Sequence, residues 1–190
     1  MQQDFNKKIK SFDNYLETYK NLLSIKSNLK ENIEKIFQIF LEIKKKNNRV
    51  FFFGNGGSAS ICSHIATDLV KNVKIKSFSL HDFNLITCFS NDFGFQNWIS
   101  KAIDRYAIRR KDIVILISSS GKSKNMLKAA KFCKINNIYL ITLTGFSKNN
   151  PLKKLGNINL WVNSNSYNFV EVAHLQVLAY IVDKISLEKK

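Results

Sequence analysis

Two short apolar runs, each emptying into a glycine- or serine-rich turn and then into a helical pattern, most constrain what this chain can fold into. Arg49-Val50-Phe51-Phe52-Phe53 runs into Gly54-Asn55-Gly56-Gly57-Ser58-Ala59-Ser60. Ile113-Val114-Ile115-Leu116-Ile117 runs into Ser118-Ser119-Ser120-Gly121-Lys122-Ser123. Continuous apolar runs of this length read as strands buried on both faces. A strand, a turn rich in hydroxyls and backbone N–H groups, and a helix N-terminus together make a place that holds an anion, most often phosphate. Neither turn is a G-x-G-x-x-G fingerprint or a Walker loop. The pair therefore points to a phosphorylated ligand without favouring a dinucleotide or an ATPase.

The same alternation extends along the chain. Residues from about 5 to 47 carry two helical patterns. One is marked by Phe12, Tyr15, Leu16, Tyr19, Leu22 and Leu23, the other by Ile25, Leu29, Ile33, Ile36, Phe37, Phe40 and Leu41, with a break near Lys26-Ser27-Asn28. Core packing and contact with a partner chain are both open for these two helices. Strands are expected at 50–53, 75–80, 113–117, 138–143 and 158–162. Helices are expected at about 58–72, 83–90, 94–108, 123–136 and 168–187. Strands alternating with helices imply a three-layer α/β/α sandwich on a five-stranded parallel sheet, preceded by the N-terminal helices. Such sheets bind ligands at the carboxyl ends of their strands, where both turns lie. The 190 residues read as one domain, residues 1–190, with a helical segment over about 1–47 and an α/β core over about 48–190.

Composition narrows the class further. Hydrophobic residues make up 45% of the chain, enough to build a core. No run of 18 apolar residues suggests a membrane span, and Met1–Lys8 has no signal-peptide character. Cys62, Cys88 and Cys133 lie far apart without a C-x-x-C, which suits a cytoplasmic protein and no disulfide framework. The net charge of +16 raises nucleic acid as a partner, but only four of the 30 basic residues are arginine: Arg49, Arg105, Arg109 and Arg110. Arginine is the preferred reader of bases and phosphates. The lysine-rich charge reads better as a solvated surface whose field attracts an anionic substrate. Trp98 and Trp161 read as core. Ser58 reads as the cap of the helix after the first turn. In the serine turn, four hydroxyls within six residues exceed what helix capping uses, and phosphate oxygens would account for the rest.

The segments Gly54-Asn55-Gly56-Gly57-Ser58-Ala59, His64, Asn91-Asp92-Phe93-Gly94-Phe95, Ser118-Ser119-Ser120-Gly121-Lys122-Ser123 and Glu171-Val172-Ala173-His174 stand in an order that resembles the sugar isomerase (SIS) domain family. Within it the chain is similar to the phosphoheptose isomerases, which convert sedoheptulose 7-phosphate to a heptose 7-phosphate. The resemblance covers most of the chain, including the N-terminal helices. It implies a five-stranded SIS fold assembled as a homotetramer with sites at subunit interfaces, serving the synthesis of surface-polysaccharide precursors such as lipopolysaccharide or capsule. It implies that Ser118, Ser119, Ser120 and Ser123 bind the sugar phosphate, and that Asn55, Gly56, Ser58 and Asp92 contact the sugar. His64, Asp68 and Glu171 take the catalytic positions, with Asp68 as the base. No cofactor is required, although several members bind zinc through groups at the positions of His64, Asp68 and Glu171.

The chemistry explains these residue types. Aldose–ketose isomerisation moves a proton between adjacent carbons through an enediol. It needs a base at carbon, an acid or metal at oxygen, and a clamp on the remote phosphate. His64 and Asp68, four residues apart, share one helix face. The chain also departs from the family pattern. Asp68 stands where glutamate is usual, withdrawing the carboxylate by about one C–C bond, and a misplacement of that size costs on the order of a hundredfold in rate. Ala179 stands where the family has its acid histidine, and His174 lies about 140° around the helix from it. Leu80-His81-Asp82-Phe83-Asn84 replaces a threonine-rich stretch. His81 and Asp82 are candidates to enter the site, with loop capping the simpler role for Asp82. These departures keep two alternatives in view: a non-catalytic sugar-phosphate-binding regulator, and an interaction protein like the SIS relatives that associate with the replication initiator DnaA.

Overall fold

The computed structural model describes residues 11–23, 27–108 and 111–188. The expected helical residues 5–10, the break at Lys26, and Arg109 and Arg110 lie outside them. The described elements are, in order, α1 (Phe12–Leu23), α2 (Ser27–Lys45), β1 (Arg49–Gly54), α3 (Gly57–Val73), β2 (Lys76–Ser79), α4 (Phe83–Phe93), α5 (Trp98–Tyr106), β3 (Ile113–Ser118), α6 (Lys124–Ile135), β4 (Tyr139–Thr144), a short 3₁₀ turn (Leu152–Lys154), β5 (Ile158–Trp161) and α7 (Tyr167–Leu187).

All five strands are parallel, in the order β2-β1-β3-β4-β5. Strand side chains alternate between faces, and the core divides accordingly. Val50, Phe52, Ile113, Ile115, Ile117, Ile141 and Leu143 face the layer built from α2, α3 and α7. That layer includes Phe37, Phe40, Ile65, Leu69, Leu178 and Ile181. Phe51, Phe53, Val114, Leu116 and Leu140 face the opposite layer of α5 and α6, where Trp98, Ile99, Met126 and Ala130 are buried. The three-layer sandwich expected from the sequence is the observed architecture. The two N-terminal helices divide in role. α2 belongs to the core, whereas α1 rests Tyr15 and Tyr19 on Phe169 of α7, ring centroids 4.5 and 5.8 Å away, and leaves Phe12 and Leu16 exposed.

Two local expectations change. The helix expected from about 94 begins at Trp98, because Asn91-Asp92-Phe93 completes α4 and Gly94 closes it at φ +78°. Trp98 is core, but Trp161, on the edge strand β5, is only half-buried. Its indole N–H donates to the Gly145 carbonyl at 3.2 Å, and Lys153 lies 4.7 Å from the ring centroid. Among the described residues no helix is long and apolar enough to cross a membrane.

At the amino ends of the strands, Asp112 locks β3 to β1. Its carboxylate is 2% exposed. It accepts the Arg49 backbone N–H at 3.0 Å, Arg49 Nη2 at 2.6 Å and the Ile108 N–H at 2.6 Å. Removing the buried Asp112 leaves the half-buried Arg49 guanidinium and two backbone N–H groups without their acceptor. Asp112→Ala should therefore destabilise the protein by about 3 kcal/mol, read as a lower midpoint in urea unfolding; an unchanged midpoint contradicts this role.

Candidate active site

The strand order reverses direction between β1 and β3, the switch point at which open parallel sheets place their ligands. Gly54 at the end of β1 pairs with Ile117 of β3, and Ser118 pairs with Thr144 of β4. The glycine turn and the serine turn therefore leave adjacent strands side by side. Gly56 holds φ +56° and ψ −128°, a conformation essentially restricted to glycine.

Gly56 is itself the N-cap of α3, with no side-chain cap bond, so Ser58 lies one step inside the helix rather than capping it. Ser58 is buried and hydrogen-bonds Glu171 of α7. A Cβ on Gly57 would overlap the Glu171 carboxylate, so glycine at 57 is what admits the acid to the start of α3. Burial raises the Glu171 carboxyl above its ordinary pKa, and the Ser58 hydrogen bond opposes this.

The two turns are clasped by a pair of amides. Asn55 Nδ2 donates to Asn125 Oδ1 at 3.1 Å, and Asn125 Nδ2 donates to Asn55 Oδ1 at 2.9 Å. Asn125, on the first turn of α6, also accepts the Met126 N–H at 3.0 Å and is 2% exposed. Sequence reasoning missed Asn125. The available signal was a polar residue beside the inward positions Met126, Ala129, Ala130 and Cys133 of an amphipathic helix.

In the serine turn Ser118 and Ser119 are buried and Ser120 and Ser123 are half-buried. Ser123 is the N-cap of α6 but makes no side-chain cap bond, so capping does not use its hydroxyl. Ser119 Oγ is buried with no hydrogen-bond partner among the described residues. Leaving such a group unpaired costs roughly 1–3 kcal/mol, which an anionic oxygen would relieve. Only Ser120 Oγ is engaged within the turn, accepting the Lys122 N–H at 3.3 Å. The backbone is braced from behind. Gly145 N–H donates to Ser119 O at 2.9 Å and Leu152 N–H to Gly121 O at 3.2 Å. Asn150, itself buried, donates to Ser147 O at 2.9 Å and accepts the Lys153 N–H at 2.9 Å.

On α3, His64 Nε2 lies 3.3 Å from Asp68 Oδ2, with His64 exposed and Asp68 half-buried. Glu171 meets the same helix at Gly57, about two turns before His64. Among the described residues no three His, Cys, Asp or Glu side chains converge as a metal site, so His64, Asp68 and Glu171 do not form a zinc triad within one chain. Asp92 is exposed on the last turn of α4 and is held locally by Asn91 Nδ2 at 3.0 Å. Asp82 occupies the N-cap position of α4 without a side-chain cap bond. His81 turns inward to the backbone of Gly54.

His174 is buried in the structural layer. Its Nε2 lies 3.2 Å from the Thr144 carbonyl, and burial lowers its pKa to about 4. Ala179 packs against the α2–α3–α7 side of the core. His174 thus stands as a neutral core residue, not as a replacement for an acid at 179.

The SIS domain model matches residues 14–145. Phosphoheptose isomerase 1 of Campylobacter jejuni is 31% identical over 165 residues, covering 82% of this chain and 88% of that protein. The structure of a phosphoheptose isomerase from Francisella tularensis superposes with a TM-score of 0.81 at 22% identity, covering 92% of this chain and 96% of that one. The Vibrio vulnificus NanR protein complexed with ManNAc-6P shares the fold at a TM-score of 0.63 and 17% identity, over 82% of this chain and 54% of that one.

Two measurements test this geometry. Asn125→Ala releases the clasp and leaves Asn55 without its partner, so it should weaken binding of a sugar phosphate by roughly tenfold in calorimetry; unchanged affinity contradicts the clasp. The unfolded chain protonates His174 near pH 6.5, whereas the folded chain resists until about pH 4. Stability should therefore fall as pH drops through that window, by about 3 kcal/mol in total from this group. A His174→Gln variant whose unfolding midpoint is as acid-sensitive as the parent's would contradict the assignment.

Proposed function

The chain belongs to the SIS domain family, and from that premise we propose that it is a phosphosugar isomerase that interconverts a ketose phosphate and an aldose phosphate. Sedoheptulose 7-phosphate is the substrate the relatives suggest. The observation that carries this reading is the serine turn: its hydroxyls are not consumed by helix capping, and it lies beside the glycine turn at the switch point of the sheet.

In this reading Ser118, Ser119, Ser120 and Ser123 and the N-terminus of α6 clamp the phosphate. Asn55, Gly56 and Ser58 hold the sugar chain, with Asp92 closing over it. Asp68 takes the proton from the carbon beside the carbonyl and returns it to the neighbouring carbon. His64, 3.3 Å from Asp68, orients that carboxylate. Glu171 gives its proton to the carbonyl oxygen as the enediol forms and takes one back from the neighbouring hydroxyl as the new carbonyl forms. Its half-buried carboxyl, lifted above the ordinary range by desolvation, holds a proton more readily than a solvated glutamate would. This assigns to Glu171 the work that Ala179 cannot do. Among the described residues no zinc site gathers within one chain, and no step here passes through a metal.

The whole chain then acts as one SIS domain in a cytoplasmic homotetramer with sites at subunit interfaces. Exposed Phe83, Phe93 and Phe95 around the Asn91-Asp92 segment, with Phe12 and Leu16 of α1, are apolar surface suited to such contacts. Lipopolysaccharide or capsule precursor synthesis is the setting this substrate suits.

Ala179 favours a second reading, a protein that binds the sugar phosphate without converting it. A coupled assay with sedoheptulose 7-phosphate, run with and without added zinc, separates the two. The isomerase reading expects turnover, a loss of roughly a hundredfold or more in kcat for Asp68→Asn, and a rise of about tenfold in KM for Ser119→Ala. Calorimetric binding with no turnover of several ketose phosphates would leave the regulator; light scattering showing a monomer would contradict the tetramer.

A further inference from the structure

We infer that His81 is a positioning residue for the glycine turn, holding Gly54 through a hydrogen-bonded chain that runs back to α3. The inference rests on the isomerase reading for its consequence on rate, but its geometry stands apart from that reading.

β2 is shorter than β1. The last paired residues are Phe52 of β1 and Ser79 of β2, so Gly54 extends two residues beyond its neighbour strand. His81 lies two residues beyond Ser79 and brings its ring to the same level. Its Nε2 is 3.2 Å from the Gly54 nitrogen and 3.0 Å from the Gly54 oxygen. Both backbone groups that β2 would have paired in a longer sheet thus face one ring nitrogen. In the Nδ1–H tautomer Nε2 accepts the Gly54 N–H. In the Nε2–H tautomer it donates to the Gly54 carbonyl.

The other ring nitrogen anchors the histidine. Nδ1 lies 2.6 Å from Ser79 Oγ, and Ser79 Oγ lies 3.1 Å from Ser63 Oγ on α3. Ser63 immediately precedes His64. The hydroxyls reorient to suit either tautomer, so the chain Ser63–Ser79–His81–Gly54 stays intact without movement of heavy atoms. The ring is also wedged between aromatic neighbours. Its centroid is 6.0 Å from that of Trp98 at 75°, and 6.2 Å from that of Phe53. Desolvation lowers the imidazole pKa below its ordinary value, with the Gly54 hydrogen bond and the Asp82 charge opposing it. A neutral ring with one donor and one acceptor is the form this chain of contacts needs.

The consequence is mechanical. Gly54 opens the turn that presents Asn55, Gly56 and Ser58, and α3 carries His64 and Asp68. One ring therefore ties the sugar-binding turn to the helix that bears the proposed base. At a reacting centre, small displacements carry large rate costs.

The test is backbone amide exchange over residues 54–58 in the full-length protein, with the amides of Val114–Leu116 in β3 as an internal reference. His81→Phe keeps the ring packing and removes both nitrogens. It should speed exchange across 54–58 by roughly tenfold or more and leave the β3 amides unchanged. His81→Gln, which keeps a donor and an acceptor, should restore most of the protection. Ser79→Ala, the second variant should His81→Phe fail to fold, should speed exchange in the same residues by a smaller factor. Unchanged exchange at 54–58, or an equal acceleration in β3, overturns the inference. In the kinetic arm, His81→Phe should lower kcat about tenfold with KM within about twofold, and His81→Gln should recover the rate. A rate unmoved by His81→Phe also overturns it. If the parent protein turns over no ketose phosphate, the isomerase reading fails on that result alone, and the exchange measurement still decides the role of His81.

Discussion

The register of β1 against β3 is the constraint on which the rest of this structure depends. Gly54 opposite Ile117 sets the two turns at one level, and the reversal of strand order between these strands opens the crevice above them. Most groups proposed to touch a ligand are reached from that junction: Asn55 and Ser58 from the first turn, the serines from the second, Glu171 from the helix that packs over Gly57; Asp92 comes separately, from α4. A slip of one residue would turn Phe51 and Phe53 to the wrong face of the sheet and separate the turns. The continuous apolar run of β1, with side chains packed on both faces, thus serves the site as well as the core.

Around that junction the chain uses small polar contacts instead of bulk. The Asn55–Asn125 clasp, the Ser58–Glu171 contact and the His81 ring each hold a turn by hydrogen bonds from a different element. Preorganisation of this kind lets a turn meet a phosphorylated ligand without first paying to be ordered. It also separates the two halves of the proposed function. The phosphate clamp needs only the serine turn and its bracing loop. In the proposed mechanism proton transfer needs α3 and α7 held in a set relation to the first turn, with Asp68 and Ala179 at the positions that the resemblance gives to glutamate and histidine.

Much of this was legible in the sequence. The strands β1 and β3 and the two turns that end them follow from apolar runs ended by glycine and serine, because a strand buried on both faces has no polar positions to blur it. What escaped is what depends on distance in the chain. Asn125 looks like a helix-surface residue until α6 is seen to start beside Asn55. Ser58 looks like a cap until Gly56 takes that place and Glu171 arrives from more than a hundred residues away. Trp161 looks like core because it is large, yet β5 is an edge strand and leaves it half open. His174, about 140° around the helix from Ala179, already reads from the sequence as a doubtful acid, and its burial gives it a packing role.

The central claim is that a sugar phosphate held by the serine turn loses a proton from carbon to this site. Proton NMR of sedoheptulose 7-phosphate in D₂O with the protein reads that step directly. The account predicts protein-dependent loss of one C-1 proton signal, as the proton held by Asp68 exchanges with solvent deuterium, together with new resonances of the aldose phosphate. C-1 signals that persist, with no aldose formed while the ligand is bound, would contradict it.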